Sequence, residues 1–318
     1  MSAQPIVAVV GPTASGKTGL GVRLAERFSG EVISADALQV YDGLSVSTAR
    51  PTAEEMHGVP HHLIGFLKVT ERYSVNDYCR DAAAAAADIV SRGNLPIVVG
   101  GTGLYVDSFL SHTAFAEEAR SDDVRRALGD ELAAGGIEPL FAELTRIDPD
   151  YAAKIHPNNT VRVLRALEIY RASGLTPTEQ AALSHRESSP YRPLYIGLSF
   201  RDRAALYDRI DARVDTMLAN GLVREAAAFY AASPSETAAN AIGCKELKPY
   251  LDGEQTLEAC VDSLKRATRR YAKRQLTWFR RNADVQWLFV DDYGAPGDLY
   301  AAAEHLVSSF LDGENDTL

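Results

Sequence analysis

One eight-residue loop constrains the fold of this chain more than any other feature. Residues 11–18 read GPTASGKT, the G-x-x-x-x-G-K-[ST] pattern whose backbone N–H groups cradle phosphate. Such a loop needs a buried strand to deliver it and a helix to leave it. Both neighbours are written in the sequence: the apolar run PIVAVV (5–10) precedes it, and GKTGLGVRLAERF (16–28) follows with helical patterning. Gly11 and Gly16 let the backbone turn tightly, and the helix N-terminus adds positive potential. The candidate phosphate-binding set is therefore Gly11, Pro12, Thr13, Ala14, Ser15, Gly16, Lys17 and Thr18. Lys17 reaches terminal phosphates, and the Thr18 hydroxyl is a candidate ligand for Mg²⁺.

The rest of the chain extends this unit. GEVISAD (30–36) reads as a second strand, VNDYCRDAAAAAADIVSRG (75–93) as an Ala-rich helix closed by Gly93, and LPIVVGGTGLYVDSFL (95–110) as strand, glycine turn and helix. Strands alternating with helices predict an α/β fold, a P-loop-type parallel sheet covered by helices. Ligands in such sheets bind at the carboxyl ends of the strands. The pattern changes near residue 116. Residues 117–187 show helical periodicity only, with an N-cap signal at SDDVRRALGDEL (121–132) and a helix closed by glycine in TVRVLRALEIYRASG (160–174). YRPLYIGLSF (191–200) returns to strand, helices run to 282, and VQWLFVD (285–291) is a last strand. The predicted domains are a core of 1–116 plus 188–318 and an all-helical insertion of 117–187. The polar tail LDGENDTL (311–318) is expected to fray.

Composition excludes some classes. No apolar run approaches the roughly 18 residues of a membrane-spanning helix, and MSAQP is no signal peptide. Cys79, Cys244 and Cys260 are too few and too scattered for a disulfide framework or a zinc site, which suggests a cytoplasmic protein with reduced thiols. A net charge of −10 argues weakly against a nucleic-acid partner, but the charge is unevenly placed. Residues 263–281, SLKRATRRYAKRQLTWFRR, hold eight Lys and Arg and no acid, leaving 25 bases against 43 acids elsewhere. Leu264, Ala267, Tyr271 and Trp278 fall at helical spacing and are expected to face the core, with Arg266, Arg270, Lys273, Arg274 and Arg281 on flanking faces. A solvated face ordinarily mixes signs, so this one points to a polyanion such as RNA or DNA.

Other residues admit several roles. Asp36 ends a strand and can ligate Mg²⁺, cap the next helix or act as a general base. Thr102 follows the glycine turn and either caps a helix or aims its hydroxyl into the phosphate cleft. Arg209 and Arg213 lie one helical turn apart and either pair with Asp211 and Asp215 or clamp an anion. His57, His61 and His62 are close in sequence, but VPHH reads as a turn and no Cys or carboxylate supports a metal site, so none is assigned. Between Asp36 and the last strand no apolar run ends in Asp, which is how nucleoside triphosphatases usually hold their metal.

Taken together, GPTASGKT, ISADALQVYDGL, STARPT, GGTGLY, RALEIYRASG, RVDTML with GLVREA, AIGCKE and AKRQLTWFR occur in this order over residues 6–288. This series resembles the tRNA dimethylallyltransferases, also called tRNA isopentenyltransferases. The resemblance implies that the loop holds dimethylallyl pyrophosphate rather than ATP, and that the dimethylallyl group moves to N6 of the adenosine 3′-adjacent to the anticodon, with Mg²⁺ as cofactor. It implies that Lys17 and Thr18 serve the pyrophosphate, that Asp36 takes the proton from the amine, and that Arg213 is a second clamp on the leaving group. It further implies contact with the tRNA anticodon stem-loop through Asp36, Ala37, Leu38, Gln39, Thr102 and Arg125. Val161, Arg162, Val163, Leu164 and Arg165 correspond to another contact stretch, and Lys273, Arg274, Gln275, Trp278 and Arg280 to a third. A monomer is expected. The chain departs from the family pattern at Ala37, where serine is common, at Asn159 for Asp, at Val161 for Gln and at Cys244 for Tyr. The competing readings are a P-loop small-molecule kinase, a dimethylallyltransferase acting on free AMP or ADP, and a catalytically idle RNA-binding protein.

Overall fold

A computed structural model of the chain describes residues 3–113, 121–184 and 188–313. It forms two compact units, Met1–Leu110 with Pro190–Leu318, and Ser111–Ser189. The boundaries expected at 117 and 187 themselves lie outside the described residues.

The first unit opens with β1 (Gln4–Val10), the phosphate loop and α1 (Lys17–Phe28), then β2 (Gly30–Ser34), β3 (His61–His62), α2 (Val75–Ser91), β4 (Leu95–Gly100) and α3 (Gly103–Leu110). After the second unit it resumes with β5 (Tyr191–Ser199). The strands among the described residues make one parallel sheet, ordered β3-β2-β4-β1-β5 and closed at the far edge by a last strand, Val285–Phe289. β1 is central, and the chain leaves it to one side for β2 and later returns on its other side as β5. That reversal opens a crevice at the carboxyl end of β1, where ligands of doubly wound sheets bind.

Alternation along β1 splits the core. Ile6, Ala8 and Val10 face one layer with Tyr78, Tyr105 and Phe109, while Val7 and Val9 face the other with Leu20 and Leu24. All five β1 residues are fully buried, as expected of a strand covered on both faces. Local signals set the helix ends. Ser74 accepts from the Asp77 N–H while the Asp77 carboxylate accepts from the Ser74 N–H, a reciprocal cap that starts α2.

The second unit holds α4 (Asp122–Gly135), α5 (Glu138–Ile147), α6 (Pro149–Ala152), α7 (Thr160–Ser173) and α8 (Pro177–Ser184), and no strand among its described residues. Its core gathers Leu128, Leu140, Leu144, Val163 and Leu167. The buried Asp148 carboxylate accepts from the Tyr151 N–H and from both the N–H and the hydroxyl of Thr178. Asn159 caps α7 by accepting from the Arg162 N–H. An aspartate would cap equally well, so this departure from the family pattern is neutral for the helix.

The first unit ends with α9 (Arg203–Ala219), α10 (Leu222–Ala231), α11 (Cys244–Leu251), α12 (Leu257–Phe279), β6 (Val285–Phe289) and α13 (Pro296–Asp312). Four expectations need correcting. The supposed turn at His61–His62 is a short edge strand, paired with Val32 and Ile33 of β2. The last strand stops at Phe289, and 290–292 turn into a 3-10 helix. Residues 311 and 312 belong to α13, while the rest of the expected frayed tail, 314–318, lies outside the described residues. On α12 the buried ridge is Cys260, Leu264, Thr268, Ala272, Gln275 and Phe279. Trp278 packs against the core as expected, but Ala267 and Tyr271 are only half-buried, because they line an open cleft instead.

Candidate active site

A cleft of about 1400 Å³ opens at the carboxyl ends of β1, β2 and β4, all within the first unit. The phosphate loop forms one wall. Gly11 has φ +137°, and a Cβ there would run into the Leu198 carbonyl oxygen, so only glycine fits where the strand turns into the loop. The Ser15 hydroxyl and the Lys17 ammonium both donate to the Pro12 carbonyl, at 2.9 and 2.6 Å, and curl the loop on itself. From α9, Arg209 Nε donates to the Ala14 carbonyl at 3.0 Å.

Lys17 is held at about 7, far below an ordinary lysine, first by burial and then by repulsion from Arg213, with Asp36 opposing the shift. Arg213 is lowered by burial as well. Its Nη2 donates to the Thr48 carbonyl at 3.3 Å, and its Nε is buried without any partner. An unpartnered buried guanidinium N–H is costly, and an anion in the cleft would remove that cost. Of the alternatives left open for the arginine pair, pairing with Asp211 and Asp215 is not what the structure shows, and both arginines line the cleft. Asp211 pairs with Arg269 and Asp215 with Lys265, each at 2.6 Å, so neither Asp neutralises Arg209 or Arg213.

The opposite wall carries Asp36. Its Oδ1 accepts from the N–H groups of Leu38 and Gln39, at 2.9 and 3.3 Å, so the carboxylate caps the turn that follows β2. Oδ2 receives no hydrogen bond from the described residues, which leaves an acceptor facing the cleft. The Thr102 hydroxyl accepts from the Ala37 N–H at 3.1 Å, while the Thr102 carbonyl starts α3. The hydroxyl is thus spent on Ala37 instead of capping α3, and Thr102 lines the cleft. Gln39 accepts from the Ser34 hydroxyl and donates to Thr48, joining Arg213 on the same carbonyl. Ala37 and Leu38 supply apolar lining.

Sequence reasoning missed two supports of this wall. Glu225 on α10 accepts from the N–H groups of Val46 and Ser47, each at 2.7 Å, and from the Ser45 hydroxyl, fixing the segment that presents Thr48. Gln275, expected at the tRNA surface, is buried and bonds the phosphate loop. GLVREA and AKRQLTWFR were both visible as motifs. Their partners lie some 180 and 260 positions away, and no local pattern reveals them.

The remaining site candidates separate by exposure. Lys273, Arg274 and Arg280 are exposed, and Arg270 and Arg274 line the cleft. Trp278 Nε1 donates to Asp107 at 2.7 Å, and Arg281 stacks on its ring. In the helical unit, Arg125, Val161 and Arg162 are exposed and Arg165 pairs with Glu168. Val163 is fully buried and Leu164 packs against the same core. Neither side chain is presented to a polynucleotide, because a helix must bury one face of this stretch.

Thr18 lines the cleft beside Lys17. No group of three or more His, Cys, Asp or Glu suited to a metal occurs among the described residues. The three histidines turn to separate partners: His57 to Glu26, His61 to the Val59 carbonyl, and His62 to Glu31. Glu31, also bonded by Arg92 and Asn94, is held at about 2 despite its burial. No described helix is long and apolar enough to cross a membrane.

Comparison with known proteins supplies the family. The IPP transferase model matches residues 39–282, and the Isopentenyl transferase model matches residues 4–66. The tRNA dimethylallyltransferase of Halalkalibacterium halodurans is 48% identical over 290 residues, covering 91% of this chain and 92% of that protein. That of Geobacillus kaustophilus is 42% identical over 313 residues, 98% of each. Among solved structures, the tRNA isopentenylpyrophosphate transferase from Bacillus halodurans matches with a TM-score of 0.74 at 43% identity, over 98% of both chains. A eukaryotic dimethylallyltransferase acting on tRNA matches with a TM-score of 0.83 at 28% identity, over 99% of this chain and 81% of that one. With the motifs, the parallel sheet and this coverage in agreement, the chain belongs to the IPP transferase family.

Proposed function

We propose that this chain transfers the dimethylallyl group from dimethylallyl pyrophosphate to N6 of the adenosine 3′-adjacent to the anticodon of tRNA. The products are N6-isopentenyladenosine and pyrophosphate. One observation carries the reading: a single cleft sets Lys17 and Arg213, half-buried and without an ion pair among the described residues, against Asp36, whose Oδ2 receives no hydrogen bond from those residues.

That arrangement suits substitution at an allylic carbon. The carbon–oxygen bond of the pyrophosphate breaks and its electron pair stays on the departing oxygen. Lys17, Arg213 and the N–H groups of the loop stabilise that growing charge, the type of interaction that is usually the largest in catalysis. The N6 lone pair forms the new carbon–nitrogen bond, and Asp36 accepts the proton the amine loses. The adenine must leave its stack to enter the cleft. Thr18 would hold Mg²⁺ that arrives with the pyrophosphate and neutralises part of its charge. A single protein hydroxyl with no acidic cage fits a hard ion whose other ligands are phosphate oxygens and water.

Exposed Arg270, Lys273, Arg274 and Arg280 on and after α12 provide the phosphate-binding surface for the tRNA, and Arg125, Val161, Arg162 and Arg165 of the helical unit contact it as well. The enzyme acts as a cytoplasmic monomer. A kinase reading is disfavoured because β4 ends in Gly100–Gly101, where a nucleotide's metal would need a carboxylate. An AMP or ADP acceptor would leave the acid-free stretch 263–281 without a role.

The test is transfer of label from radiolabelled dimethylallyl pyrophosphate, with Mg²⁺, to an unmodified tRNA bearing adenosine 3′ of its anticodon. The same tRNA with guanosine there, and free AMP, serve as controls. Label in the adenosine tRNA alone is the expected result. Label in AMP, or consumption of ATP with no label anywhere, contradicts the proposal.

A further inference from the structure

Gln275 projects from α12 inward, away from the basic surface. It is only 5% exposed and both ends of its amide are engaged. Oε1 accepts from the Thr13 N–H of the phosphate loop at 2.8 Å. Nε2 donates to the Gly101 carbonyl, at the end of β4, at 3.0 Å. The close approach depends on a missing side chain: a Cβ on Gly101 would collide with Gln275 Nε2, and its next nearest neighbour is Gly11 of the phosphate loop.

Three segments far apart in sequence therefore meet on one amide: the first turn of the phosphate loop, the glycine turn after β4, and the basic helix. The Thr13 N–H is directed into the protein, so it is not among the N–H groups offered to phosphate. Its hydrogen bond fixes the loop's entry instead. On the adjacent turn, Lys273 and Arg274 are exposed. A buried polar side chain with every atom satisfied holds its neighbours in one arrangement, and catalytic groups need such support from behind.

We infer that Gln275 is a positioning residue that locks the phosphate loop in its pyrophosphate-binding form, and not a tRNA contact. The inference rests on the proposed pyrophosphate site, but its local part, the Thr13 hydrogen bond, stands apart from that reading. Removing the amide frees Thr13 and loosens the loop, which weakens anion binding while leaving the exposed basic face unchanged. Loss of one well-formed hydrogen bond predicts a weakening of about 5- to 10-fold.

The experiment compares the full-length wild-type chain with Gln275→Met and Gly101→Ala. Calorimetry gives the affinity for inorganic pyrophosphate with Mg²⁺, and filter binding gives the affinity for unmodified tRNA. Both variants should weaken pyrophosphate about 5- to 10-fold, raise KM for dimethylallyl pyrophosphate, and leave tRNA affinity within about twofold. Hydrogen exchange on the wild-type chain is independent of whether the variants fold: the Thr13 amide should be protected without any ligand. The inference is overturned by a rapidly exchanging Thr13 amide, by unchanged pyrophosphate affinity, by loss of tRNA affinity alone, or by equal loss of both. If the wild-type chain binds no pyrophosphate, the proposed site fails, while a protected Thr13 amide would still uphold the clamp.

Discussion

In the helical unit, Arg171 spreads its guanidinium over Glu131 and Glu143, and the buried Asp148 carboxylate is filled by Tyr151 and Thr178. In the α/β unit, Lys17 and Arg213 are half-buried and repel one another, and the carboxylates that ease this are Asp36 for both and Glu55 for Arg213. In the first region the inner ionic groups Arg171 and Asp148 have full sets of partners. The other keeps cations in a state that costs stability until an anion arrives. Uncompensated charge in an otherwise well-satisfied fold marks the place built for a ligand.

The widest gap between the regions should appear at Asp36. Asp36→Ala is expected to lower transfer to tRNA by about 10²- to 10⁴-fold, with calorimetric affinity for pyrophosphate undiminished. An equal loss of both would move Asp36 from proton acceptor to loop support. Arg213→Met should cost about 10²- to 10³-fold in kcat/KM yet leave the melting temperature unchanged or raised, because it removes a buried charge with no full partner. A clear drop in melting temperature would show that the cation is compensated after all, and the contrast would collapse.

Smaller effects sharpen the picture. Lys273→Ala with Arg274→Ala should weaken tRNA binding and lower the slope of log affinity against log salt by about 1.4 to 1.8, read by filter binding from low to moderate salt. An unchanged slope would remove these two cations from the phosphate contacts. Lys17 should reveal itself through protons. Near 7 in the free protein, it is mostly neutral at pH 8, and bound pyrophosphate restores its charge. Binding should therefore take up a proton at pH 8 more than at pH 6, read by calorimetry in buffers of different ionisation enthalpy. Lys17→Arg, always charged, should abolish the difference. The sign for folding agrees: the unfolded lysine keeps its proton up to about 10.5, so this group's contribution to stability rises with pH from about 7 towards that value. Smallest of all, Arg171→Met should cost the helical unit about 1 kcal/mol in a denaturant melt and leave transfer unaltered.

Much of the α/β unit was legible because short apolar runs ending in glycine or Asp carry their own punctuation. β1, β4 and β5 were recognised from PIVAVV, LPIVVG and YRPLYIGLS. β3 was hidden, since two histidines beside a proline carry no strand signal and only the β2 edge recruits them. Periodicity misled on α12 for a related reason. Tyr271 and Ala267 satisfy a helical spacing, but the surface they face is a cleft, and a spacing rule cannot tell a cleft from a core. Val163 shows the converse: a stretch can match a contact motif while folding buries one of its side chains. Lys17, Thr18 and Asp36 were readable as chemistry, whereas the fate of Arg213 depended on Arg269 and Lys265 claiming its neighbouring carboxylates, a long-range arrangement that no local pattern encodes.

The cleft is proposed to be charged for pyrophosphate and not for a nucleoside triphosphate. The most direct measurement is a calorimetric titration of the purified chain with Mg²⁺ and, in turn, inorganic pyrophosphate, dimethylallyl pyrophosphate and ATP. Pyrophosphate and dimethylallyl pyrophosphate should bind competitively, both should lose affinity in Arg213→Met, and ATP should bind more weakly and not be hydrolysed. Tight ATP binding with turnover, and an Arg213→Met chain that still binds pyrophosphate normally, would contradict the proposal.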